Sequence, residues 1–141
     1  MDKIKSVLNF NGYKVGNIIF KINEEFNYRE AEEVEVDVDF KVKSEIDRNN
    51  NSLKINLATT IFKESESKNN PFSLYVDING FFEYSDNISE EMLQGLIRNN
   101  SVAILYPYLR SIVSTITCNS GFEPIILPTI NITKLMKHED R

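Results

Sequence analysis

The sequence is poor in the residue types on which most enzyme chemistry runs. Its 141 residues include one cysteine, one histidine and no tryptophan. A lone cysteine, Cys118, excludes an intramolecular disulfide and a cysteine-rich zinc site, and reads as a small helix residue. A catalytic thiol needs a paired base, and the one histidine, His138, sits in a charged C-terminal tail. There is no glycine-rich phosphate loop and no hydrolase or transferase constellation. The acidic pairs Glu32/Glu33 and Asp37/Asp39 are spaced as solvated turn and strand residues. A non-enzymatic protein without metal or cofactor is therefore expected. No apolar run approaches the ~20 residues of a membrane helix, and the N-terminus lacks a signal-like apolar core. This leads to an expectation of a cytoplasmic chain that does not insert into membranes. Basic residues are outnumbered, 16 Lys and Arg against 21 Asp and Glu, for a net charge of −5. That balance disfavours nucleic acid and anionic membrane surfaces, both of which need clustered cations.

What the chain does contain is enough apolar residue for a core, 41% of the total. A chain of this length is expected to form one domain, residues 1–141, burying roughly two thirds of its unfolded surface. Its first 84 residues carry the two-residue period of strands. About residues 13–23, Ile18, Phe20 and Ile22 share a face. In the second strand Val34, Val36, Val38, Phe40 and Val42 alternate with charged residues, giving one buried and one wet face. The third places Leu53, Ile55, Leu57, Thr59 and Ile61 together, after the polar turn Asp47–Ser52. The fourth, about residues 72–84, follows a polar connection at 64–71 and aligns Leu74, Val76, Ile78, Phe82 and Tyr84. Gly80 lies among them, a sign of a bulge or a close backbone approach.

The period then changes to that of a helix. Ser89 is placed to cap a short helix carrying Glu90 and Glu91 in its first turn and Met92, Leu93, Leu96 and Ile97 along it. Asn99 and Asn100 end that helix, and Ser101 caps a longer one over about residues 102–118. Pro107 either bends the long helix or lies in its first turn. The stripe Val102, Leu105, Leu109, Ile112 and Ile116 is assigned to an interface between subunits, because Ile104 and Tyr108 make the helix apolar on a second side. A homodimer or homotetramer is expected. Strands followed by helices give an α+β fold: a four-stranded antiparallel sheet with a short and a long helix on one face.

After Gly121 the segment 122–132 is too apolar for a solvated loop and too rich in proline for regular structure. Several aromatic residues also fall off the core face. Tyr75, Phe81, Tyr106, Tyr108, Phe122, Ile125 and Leu127 are the candidates for an apolar groove floored by sheet, walled by helix and roofed by this segment. Large exposed apolar surfaces mark binding sites. A bound segment burying about 400 Å² of apolar surface gains on the order of 10 kcal/mol, against an association cost of about 4–15 kcal/mol. One groove binds weakly, and several on an oligomer gain avidity. The same cleft also suits a small-molecule or lipid-binding module, which is the alternative reading.

The run Leu105-Tyr106-Pro107-Tyr108-Leu109-Arg110, then Gly121-Phe122, then Leu127-Pro128-Thr129-Ile130-Asn131, resembles the SecB export-chaperone family. The likeness is strongest between Gly80 and Ile132. It implies an ATP-independent holdase, a dimer of dimers, whose clients are non-native polypeptides. In that family an acidic surface docks the SecA motor. The matching positions here are Asn17, Lys21, Ser73 and Tyr75, none of them acidic. Weak or undetectable SecA binding is therefore expected. The likeness also extends to SecB-like chaperones of toxin–antitoxin systems, so the client is expected to be a preprotein or an antitoxin.

Overall fold

The computed structural model describes residues 7–27, 35–63 and 68–129. The expected strand position Val34, the Glu32/Glu33 pair, the turn residues 64–67, the segment from Ile130 and the C-terminal tail with His138 lie outside these.

Four strands form one antiparallel sheet: β1 (Leu8–Ile22), β2 (Val38–Asp47), β3 (Ser52–Ile61) and β4 (Phe72–Tyr84). Their order is β1-β4-β3-β2, so β1 and β2, consecutive in the chain, are the two edges. Alternation decides the faces. Leu53, Ile55, Leu57, Thr59 and Ile61 are all buried on one side, as are Phe72, Leu74, Val76, Ile78 and Phe82 of the neighbouring strand. β1 begins five residues before its sequence pattern suggests. Two irregularities, between Phe10 and Tyr13 and between Val15 and Asn17, restore its phase, so no single alternation runs along it. Ile18, Phe20 and Ile22 pair with Val76, Leu74 and Phe72 and thus share the core face. Ile18 and Ile22 nevertheless remain about half exposed, because β1 is an edge strand.

The helical half is continuous. Ser89 caps α1 (Glu90–Gly95) by accepting the Met92 N–H at 3.0 Å, with Glu90 and Glu91 at the positive end. A bidentate Arg48–Glu90 contact, 2.6 and 3.0 Å, ties the β2–β3 turn to this end. Asn99 and Asn100 do not break the helix. Residues Leu96–Ser101 form a π-helical turn that runs into α2 (Val102–Asn119). The reason is spacing. Ile97 and Val102 are five residues apart and both buried, a step that an α-helix would rotate off the core and a wider π turn returns to it. Ser101 is accordingly helical and caps nothing; its hydroxyl donates to the Ile97 carbonyl at 2.6 Å. Pro107 lies inside α2, not in its first turn. The helix ends in a Schellman motif. Gly121, at φ +94°, donates to Cys118, and Phe122 donates back to Thr117.

The sheet and α2 meet most closely at Gly80. A β-carbon there would stand 2.5 Å from Leu105 Cδ2 and 2.7 Å from Leu105 Cδ1. The glycine is thus a point of close approach, and it sets the height of α2 above the sheet. Gly80→Ala forces α2 to lift or Leu105 to leave its rotamer, and is expected to destabilise the fold by about 1–3 kcal/mol. Urea unfolding followed by circular dichroism measures it; an unchanged midpoint would remove Gly80 from this role.

Candidate functional site: an apolar groove under a proline-bracketed strap

Three ridges of α2 organise the site, each set by the three- and four-residue spacing of helix faces. The central ridge is Val102, Leu105, Leu109 and Val113, all 0% exposed in the chain's own core. This corrects the expected subunit interface. Val102, Leu105 and Leu109 rest on the chain's own sheet and have no surface left for a partner. Ile112 and Ile116 are only partly buried and belong, with Ile104 and Tyr108, to a second ridge above β1. The Tyr108 ring packs on Tyr13 at 4.5 Å and on Phe10 at 5.8 Å and remains 39% exposed.

The third ridge is polar, and it holds the segment after the helix. Residues 123–129 have no regular secondary structure. Pro124 and Pro128 bracket the strap formed by this segment. Tyr106 Oη donates to the Pro128 carbonyl at 2.5 Å, Arg110 Nε to Leu127 at 2.8 Å and Ser114 Oγ to Ile125 at 2.9 Å. The Ile125 N–H donates to Thr117 Oγ1 at 2.9 Å. Burial pushes the Tyr106 phenol pKa up, and the Arg110 charge opposes this. Leu127 is fully buried, and Ile126, pointing the other way, is 70% exposed.

Between the strap and β2 opens a groove of about 640 Å³. Val36, Val38 and Phe40 form its β2 side. Phe62, Pro71 and Phe72 contribute from the ends of β3 and β4, and the strap from Phe122 to Pro128 closes the other side. Glu123 is the one charged residue among these lining groups. Phe122 seats the strap's start, its ring 4.8 Å from Phe72 and 6.2 Å from Phe20.

The expected groove residues therefore divide. Phe122, Ile125 and Leu127 line it. Tyr106 stands behind the strap, its ring edge-on to Phe40 at 5.7 Å. Tyr108 is on the other flank of α2. Tyr75 and Phe81 project from the helix-free face of the sheet, since their β4 neighbours Leu74, Val76 and Phe82 hold the core face. The helix is not a wall of this groove; the strap and β2 are. Val36 was legible as a strand position but not as a groove residue, and Phe62 and Pro71 escaped the sequence pattern because they fall at strand ends, where alternation stops. Arg110, Ser114 and Thr117 had a legible signal: polar residues at helical spacing from Tyr106, directly before an apolar segment that needs an anchor.

On the helix-free face, register places Lys21 opposite Ser73, Ile19 opposite Tyr75 and Asn17 opposite Asp77. The four positions matched to a motor-docking surface are thus neighbours. Asp77 is only 4% exposed there and accepts from Asn17 at 3.0 Å and Asn56 at 3.2 Å. Burial, with the Asp77 carboxylate beside it, pushes the Tyr75 phenol pKa up.

A twisted four-stranded sheet carrying one long helix, with an apolar groove at its β2 edge, is a SecB-like fold. It superposes on a SecB-like chaperone of Mycobacterium tuberculosis, solved in complex with a peptide from an antitoxin, with a TM-score of 0.68 at 14% identity over 87% of each chain. The chain belongs to the SecB family: the family profile, described as preprotein translocase subunit SecB, matches residues 16–141. An uncharacterised protein of Methanocaldococcus jannaschii is 33% identical over 132 residues, 94% of this chain and 84% of its own. The protein-export protein SecB of Roseobacter denitrificans is 29% identical over 107 residues, 76% of this chain and 62% of its own length. That of Dinoroseobacter shibae is 28% identical over 107 residues, 76% of this chain and 60% of its own.

Proposed function

We propose that this chain is an ATP-independent holdase that binds non-native polypeptide in the groove between the strap and β2. The observation that carries this reading is the groove's chemistry. It is lined by aliphatic, aromatic and proline side chains with a single carboxylate, and Val36 and Ile126 hold 45% and 70% of their surface open to water beside it. Apolar contact without a fixed hydrogen-bond pattern accepts many sequences, as a holdase requires. Family membership and the antitoxin peptide on the mycobacterial chaperone support clients of the preprotein or antitoxin kind. The protein acts by binding, not catalysis, and works in the cytoplasm; among the described residues no helix is long and apolar enough to cross a membrane.

A second copy of the chain is the proposed cover for the β1 side. Tyr108 of α2, on one helix ridge with Ile104, Ile112 and Ile116, packs on β1, whose Val15, Ile18 and Ile22 are 43%, 47% and 51% exposed. A long edge strand with this much exposed apolar surface is an association site unless it is covered. Joining subunits there leaves the groove, at the opposite edge, open. Several grooves on one assembly then hold one client with high avidity.

Three outcomes are expected. In an aggregation assay with a chemically unfolded client and no ATP, the protein slows light scattering, and Ile126→Asp loses most of that effect at an unchanged thermal midpoint. Ile126 is the cleaner probe than Phe122, whose ring is packed on Phe72. Full activity of Ile126→Asp would place client binding elsewhere, and tight capture of one small apolar ligand instead of peptides would favour a small-molecule or lipid carrier. Multi-angle light scattering is expected to give a dimer or tetramer, shifted toward monomer by Ile18→Asp; a wild-type monomer at micromolar concentration sinks the interface. Titration against the SecA of the source organism is expected to show weak or no binding, because opposed or absent charge at Lys21, Asn17, Ser73 and Tyr75 removes the complementarity such docking relies on. Submicromolar affinity lost on Lys21→Glu would restore a motor-docking role.

A further inference from the structure

The strap presents a puzzle of stability. It forms no backbone–backbone hydrogen bond among the described residues from 123 to 129. Pro124 and Pro128 have no N–H to give. Yet it forms one whole side of the groove. Its fixed position comes from α2. Tyr106, Arg110, Ser114 and Thr117 follow one another at intervals of four, four and three residues and present one donor or acceptor each to the strap.

The directions of these bonds are ordered. Thr117 gives its own hydroxyl proton to its helix, to the Val113 carbonyl at 2.9 Å and the Ser114 carbonyl at 3.2 Å. That leaves an oxygen lone pair for the Ile125 N–H. Ile125 therefore bonds α2 through both its N–H and its carbonyl, and Leu127 bonds α2 through its carbonyl. In extended backbone both groups of one residue point the same way, and successive residues alternate. Ile125 and Leu127 thus turn their peptide groups to the helix, and Ile126 turns its own away from it. The side chains agree: Leu127 is fully buried and Ile126 is 70% exposed.

We propose that Tyr106, Arg110, Ser114 and Thr117 are positioning residues for client binding, a side-chain ladder that holds the strap extended and presents Ile126 to the groove. The inference rests on the polypeptide-binding reading of that groove and adds what makes it preformed. None of the four needs to touch the client. Each hydrogen bond contributes modestly on its own, and the strap has no backbone pairing with the described residues to fall back on. Losing two of the four lets it leave α2 for part of the time, and apparent affinity falls with the population of the held state.

The test uses the full chain and three variants. Tyr106→Phe combined with Ser114→Ala removes two bonds while keeping the ring and nearly all the volume. Thr117→Val removes the acceptor at constant shape, and Thr117→Ser restores it. The readouts are anisotropy of a fluorescein-labelled ten-residue peptide rich in Leu, Val and Phe, hydrogen exchange of the strap, and the thermal midpoint. The double variant is expected to bind the peptide about tenfold more weakly, and Thr117→Val, which removes one strap bond, about threefold more weakly. Strap exchange is expected to accelerate while exchange in β3 and β4 and the thermal midpoint hold. Thr117→Ser returns both binding and exchange to wild type. Wild-type binding and strap exchange in the double variant would overturn the ladder. So would accelerated exchange throughout the sheet with a collapsed midpoint, which would make these residues ordinary core. If the wild type binds no peptide, the holdase reading fails by itself, and strap exchange alone then decides the ladder in the same two directions.

Discussion

The arrangement of this molecule depends on one close contact, Leu105 seated on the bare backbone of Gly80. Because no side chain intervenes, α2 lies low on β4, and its central ridge is fully enclosed. Height and rotation of a helix on a sheet are not independent. Once Leu105 is down, Leu109 and Val113 follow it into the core, the ridge with Tyr108 is turned toward β1, and the ridge from Tyr106 to Thr117 toward the strap. The π turn at Leu96–Ser101 serves the same contact from upstream. It lets Ile97 and Val102 both reach the core across a five-residue step.

The two edges of the sheet thereby carry different surfaces. At the β1 edge, strand and helix together leave a band of half-exposed aliphatic and tyrosine side chains. At the β2 edge, the strap stands off from the strand and leaves a groove. In the proposed reading, a helix that carries apolar residues on one flank and hydrogen-bonding residues on the other separates assembly from client binding. Occupying one edge does not obstruct the other. The proline pair in the strap contributes a further constraint. Without N–H groups at Pro124 and Pro128, the strap offers little for an indiscriminate neighbouring strand to pair with, so its apolar surface is open without being an aggregation edge.

The helix-free face shows how one fold carries different surfaces. Asn17 and Lys21 are brought beside Ser73 and Tyr75 by strand register, yet in the chain the two pairs are separated by more than fifty residues. The carboxylate nearest them, Asp77, is buried under asparagine amides and presents no free charge outward. Altering a few residues at alternate strand positions changes this face without disturbing the core behind it, since the two sets of side chains point in opposite directions.

Periodicity in the sequence determined the element types. Alternation at Leu53–Ile61 and Leu74–Tyr84 specified strands with one dry face, and the Ser89 cap and the stripe from Val102 to Val113 specified helices. These are local properties, carried by neighbours in the chain, and so were the family motif around Pro107 and the role of Gly80 as a site of close approach. Which flank of α2 faced its own sheet was not local. Five apolar positions on the helix looked alike, and only packing showed that Val102, Leu105 and Leu109 are consumed within the chain while Ile112 and Ile116 keep surface to offer. Alternation put Tyr75 and Phe81 off the core face but could not tell where the groove lies, so these residues, apolar in character like Phe122, fall among groove candidates from which they lie a whole sheet away. The groove itself joins β2, the ends of β3 and β4 and the strap, segments more than eighty residues apart at the extremes. Its existence depends on where folding brings them: sheet pairing places the strands, and α2 hydrogen-bonds the strap.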